Sequence, residues 1–143
     1  MRSFLIVANE TLASPTLASA VEDRVAQGPA RFHVVVPATP VQHGLTWDEQ
    51  EAETAARERL QTMLTWLRGL GAEASGEVGN KDPVAAAQDA LRGNPVDEVI
   101  LSTLPAGISR WLGQDVPSRI KGAINVPLTV VTAPREPAEL TPG

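Results

Sequence analysis

FHVVV, residues 32–36, is continuously apolar where a strand with one wet face would alternate, so it reads as a strand covered on both sides. Pro37 stops it. Such strands belong to parallel sheets, whose crossover helices lie on both faces, so strand and helix patterns should take turns along the rest of the chain. Upstream they do. FLIVA at 4–8 is the first strand, and between the two runs Ser14 stands as N-cap with Pro15 at the first helical position. Leu17, Val21 and Val25 then recur on one helical face until Gly28 ends the helix.

Downstream, the loop ATPVQHGL (38–45) leads into TWDE (46–49), where Thr46 and Glu49 have the spacing of a capping box, so a long helix is predicted to begin there. Acidic Asp48, Glu49, Glu51 and Glu53 suit the positive end of its dipole. Leu60, Met63, Leu64, Leu67 and Leu70 form its apolar face, and Gly69 and Gly71 its stop. AEASGEV (72–78) alternates and is predicted as a third strand at a sheet edge. Asp82 and Pro83 repeat the N-cap and proline start, with Val84, Ala87 and Leu91 on the buried side of a helix that Gly93 and Pro95 end. EVILS (98–102) is the fourth strand and PLTVV (127–131) the fifth. Between these two strands Ile108, Trp111, Leu112 and Ile120 are helical in pattern, broken into two short pieces at Gly113 and Pro117.

The expected fold class is therefore α/β, an open five-stranded parallel sheet with helices on both faces, Rossmann-like, over residues 1–133. A Pro-rich flexible tail occupies 134–143. The 143 residues contain no cysteine, which excludes disulfides, thiolate metal sites and cysteine nucleophiles. His33 and His43 have no metal-motif spacing, and His33 reads as a strand-face residue. A net charge of −5 argues against nucleic-acid or anionic-membrane partners. No apolar run approaches the roughly 20 residues of a spanning helix. Phe4–Ala8 is too short for a signal peptide and is cut off by Asn9 and Glu10, so the expected localisation is cytoplasmic. Trp66 and Trp111 read as packing residues, and Trp47 as a staple under its helix.

An open sheet takes ligands outside the carboxyl ends of its strands, where strand order reverses. The segments at that edge are 8–11, 37–38 and 102–110. The candidate ligand or phosphate site is Asn9, Ser102, Thr103, Gly107, Ser109 and Arg110: hydroxyls, a glycine that lets backbone approach closely, and a guanidinium fork suited to phosphate or carboxylate. Each has a plain structural alternative. Ser102 and Thr103 can cap the strand end, Ser109 can N-cap a helix, Asn9 can form an Asx-turn, and Arg110 can be solvated. No catalytic residue and no metal ligand stands out.

The order of elements, GNKDPVAAAQDAL (79–91), EVILST (98–103), GISRWL (107–112), VPSRI (116–120) and VPLTVV (126–131) together resemble the universal stress protein family over nearly the whole chain. The family's ATP-binding members carry G-x2-G-x9-G-S/T after the fourth strand, whose backbone amides cradle phosphates. Counted onto this chain, that signature falls on Leu101, Leu104, Gln114 and Asp115, none of which matches. The aspartate ending the family's first strand corresponds to Asn9. The resemblance thus implies a divergent stress-response protein that binds a nucleotide, phosphate or other anion, or a protein partner, without the usual glycine grip. It also implies a homodimer through the fifth strand. Two alternatives stand beside it: an interaction module with a vestigial crevice, and a nucleotide-binding α/β enzyme, for which no acid–base or metal set is visible.

Overall fold

The computed structural model describes residues 1–38, 42–43, 46–47, 49–105 and 109–134, with backbone alone at 42–43, 46–47, 49 and 110. In β1 (Arg2–Val7), Phe4 and Ile6 enter one apolar layer while Leu5 and Val7 enter another, and all four are buried. This is the period-two alternation of a strand with a core on each face. β2 (Ala30–Pro37) repeats it, with Phe32, Val34 and Val36 on the side of Phe4 and Val35 on the side of Leu5. Phe4 and Phe32 are register partners whose rings stack at 5.1 Å.

The other sheet strands are β5 (Glu73–Gly79), β6 (Glu98–Thr103) and β7 (Leu128–Thr132), after a short hairpin of β3 (Gln42–His43) and β4 (Thr46–Trp47). The sheet order is β5-β2-β1-β6-β7, every neighbouring pair parallel. Strand order therefore reverses between β1 and β6. Helices α1 (Pro15–Ala26) and α2 (Glu49–Gly69) supply Leu17, Val21, Leu60, Met63 and Leu67 to one layer. The opposite layer is filled by α3 (Pro83–Gly93), α4 (Arg110–Gly113) and α5 (Val116–Ala123), through Ala86, Ala87, Ala90, Trp111, Val116 and Ile120.

The helix starts are local chemistry. Ser14 Oγ accepts from the Thr16 amide at 3.2 Å and Asp82 Oδ1 from the Val84 amide at 3.2 Å, each with proline next in the first turn. Gly28 follows α1 at φ +143°, a conformation side chains avoid. At the amino end of the sheet, Arg24 of α1 grips Glu98 of β6 in a fork, Nε to Oε1 at 3.0 Å and Nη2 to Oε2 at 2.7 Å. Thr129 also donates to Glu98. These bonds, that of Arg24 above all, hold the Glu98 carboxyl below its ordinary range despite burial, and Arg24 is held above its own.

One expectation needs correction and one is sharpened. The long helix begins at Glu49, not with Thr46 as its cap: Thr46 and Trp47 pair antiparallel with His43 and Gln42. Thr46 stands in a strand three residues before the helix, not at the position adjoining it that an N-cap takes. In α3 the buried residues are Pro83, Ala86, Ala87 and Ala90, and Val84 and Leu91, partly buried, pack against the same layer, so the buried side is the one expected but is centred on alanines. Small residues let this helix approach the sheet closely, and a Cβ on Gly79 would stand 3.0 Å from that of Ala86. The break near Gly113 does occur: α4 ends there and Asp115 turns the chain at φ 57°, with Pro117 inside the first turn of α5. The tail beyond residue 134, and the side chains of His43 and Trp47, lie outside the described residues.

Candidate functional site

Ala8 to Thr11 leave β1 at the carboxyl edge, where the order reversal opens the sheet. Asn9 is buried there. Its Nδ2 donates to the Pro37 carbonyl at 2.8 Å, tying the ends of β1 and β2, and its Oδ1 accepts from Arg59 Nη1 of α2 at 2.6 Å. Thr11 Oγ1 and Ser102 Oγ share a buried hydrogen bond at 2.7 Å, bridging the first strand's loop to the end of β6. Thr103 Oγ1 lies 3.4 Å from Thr132 Oγ1, and Thr16 donates to the Thr132 carbonyl at 2.9 Å. Ser109 Oγ accepts from the Leu112 amide at 3.1 Å, so it N-caps α4.

The structure thus brings Asn9, Ser102 and Thr103 to one edge, and it gives each polar side chain an internal partner. Asn9 fastens two strands and a helix instead of closing an Asx-turn. Leu101, on which the family's first glycine falls, is a fully buried residue of β6, and Asp115 stands at the start of α5. Gly107 lies outside the described residues, as does the side chain of Arg110, whose backbone begins α4.

Next to Asn9 a groove of about 570 Å³ opens between the loop after β1, the start of α1 and the middle of α2. Leu12, Ala13, Ala18, Met63 and Trp66 give it apolar walls, and Asn9, Glu10, Glu58, Arg59 and Thr62 are its polar lining. Its size suits a small-molecule ligand. Arg59 is the residue that the sequence hid. It is half-buried, and among the described residues its guanidinium bonds to a neutral amide oxygen rather than to a carboxylate. Spare donors on such a cation are suited to an anion. In the sequence Arg59 sits beside Leu60 at the border of an apolar stripe, with charged Arg57 and Glu58 before it, and nothing local marks it as inward-facing.

His33 is buried in β2, its Nδ1 bonded to Ser75 Oγ at 2.8 Å, its Nε2 without a hydrogen-bond partner and 3.5 Å from Glu77 Oε2. Among the described residues no group of three or more His, Asp or Glu could hold a metal ion, and no helix is long and apolar enough to cross a membrane.

No protein-family model and no curated protein matches the chain. Solved structures do. A protein of the universal stress protein family from Burkholderia pseudomallei aligns at TM-score 0.66 and 14% identity, over 90% of this chain and 94% of that one. This is the universal stress protein fold. An Arabidopsis thaliana protein of that family, solved with AMP bound, shares the fold at TM-score 0.66 and 9% identity, over 96% of this chain and 99% of the other. The universal stress protein of Archaeoglobus fulgidus in complex with dAMP shares it at 0.58 and 19% identity, over 92% and 98%. The five-stranded parallel sheet and the helices on both of its faces are those expected from the sequence.

Proposed function

We propose that this chain is a binding protein of the universal stress type, and that its ligand is an adenine nucleotide or a closely related anion held in the groove beside Asn9. The observation that carries this is Arg59: a half-buried cation with a neutral partner, lining a groove of ligand size at the carboxyl edge of an open sheet. Two proteins of the same fold were solved with AMP and dAMP. The phosphate takes the free donors of Arg59, and the base lies along Met63 and Trp66.

Thermal unfolding with AMP, cyclic AMP, Mg-ATP and inorganic phosphate tests the reading. A ligand at about 100 times its Kd adds about 2.7 kcal/mol, some 5–10 °C for a domain of this size. Arg59→Gln should abolish the shift. No shift with any nucleotide overturns the proposal. A shift lost in Ser109→Ala or Arg110→Ala but kept in Arg59→Gln would move the ligand to the loop after β6.

A second reading, self-association through β7, is favoured by Val130, a large apolar residue 40% exposed on an edge strand.

A further inference from the structure

Among the described residues the charges lining the groove are unequal: one guanidinium, Arg59, against two carboxylates, Glu10 and Glu58. Both acids are exposed, and neither has an ion-pair partner among the described residues. Arg59 can neutralise one phosphate. Any further phosphate of the same ligand finds no second cation among the described lining residues and meets two like charges lining the same groove, whose repulsion salt largely screens only beyond about 8 Å. We propose that Glu10 and Glu58 make the site selective, admitting a nucleoside monophosphate and rejecting the triphosphate. The inference rests on the nucleotide reading above and adds to it the rule by which ligands are sorted. It needs no glycine cradle, since the glycines of the family signature serve a chain of phosphates that this groove excludes.

Binding of AMP and ATP is measured by calorimetry at physiological salt with EDTA present, so that no metal masks the phosphates. AMP should bind about tenfold more tightly than ATP, since two carboxylates act on about two extra charges. In Glu10→Gln/Glu58→Gln both nucleotides gain affinity and ATP gains more, bringing the ratio to about two. Both positions are exposed, and an unchanged melting temperature confirms that the variant folds. Equal affinities in the native protein, or a ratio unmoved in the double variant, overturn the selectivity while leaving the nucleotide reading in place. Binding of neither nucleotide overturns both.

Discussion

At the end of the sheet away from the groove, one carboxylate joins three elements: Glu98 of β6 accepts from Arg24 of α1 and from Thr129 of β7. Its carboxyl titrates below the ordinary range in the folded chain, so the unfolded chain takes up the proton first as pH falls. The stability it contributes is complete above the unfolded carboxylate value, near pH 4.3, and is lost as pH drops through the lower folded value. Glu98→Gln should cost about 1.5–3 kcal/mol at neutral pH, with Arg24 left gripping a neutral amide. Urea unfolding at stepped pH should show the two proteins converging below pH 4. Convergence at neutral pH instead would mean that the fork is not stabilising. At this scale the sequence was uneven in what it disclosed. Ser109 as a cap and Asn9 at a strand end follow from residue type and place, because short polar side chains act on nearby backbone. The Arg59 partnership spans 50 residues, and no local rule announces it.

Helix α2 lies over β5 closely enough that a Cβ built on Gly76 would stand 2.5 Å from Leu60 Cδ1 and 2.7 Å from the Val34 carbonyl oxygen. The leucine can turn aside; the carbonyl belongs to the neighbouring strand and cannot. Gly76→Ala should therefore destabilise by about 1–3 kcal/mol, the usual cost of overpacking, despite alanine's better strand entropy. A lowered melting temperature checks this, and an unchanged one would show that the edge strand yields freely. Elements were the most legible scale. Four apolar runs and the alternating 72–78 segment became the five sheet strands, and the Ser14–Pro15 and Asp82–Pro83 starts are used as read. The capping box at Thr46 is a four-residue side-chain signal, whereas the antiparallel pairing of 42–43 with 46–47 is backbone pairing that side-chain pattern does not encode. The alanine face of α3 was half-read for a related reason: close approach favours small residues, and periodicity scores them below Val84 and Leu91.

Seen whole, the sheet has two unequal edges. β5 is bordered by charged Glu73 and Glu77, while β7 offers Val130 beside exposed backbone. If two copies associate, they should meet at β7, and light scattering at high concentration should give twice the mass of one chain. Val130→Lys should return the single-chain mass with little change in melting temperature, as a surface substitution within about 0.5 kcal/mol would. A native protein that stays at single-chain mass removes the second reading. The two apolar layers on opposite faces draw on alternate residues of the same strands, Ile6 and Ile100 for one, Leu5, Val7, Val99 and Leu101 for the other. For a protein engineer this makes the sheet a partition. Cavities cut at Leu17 and at Ile120 lie in different layers, so their effects should sum, and one side can be redesigned for a new ligand while the other is kept as ballast.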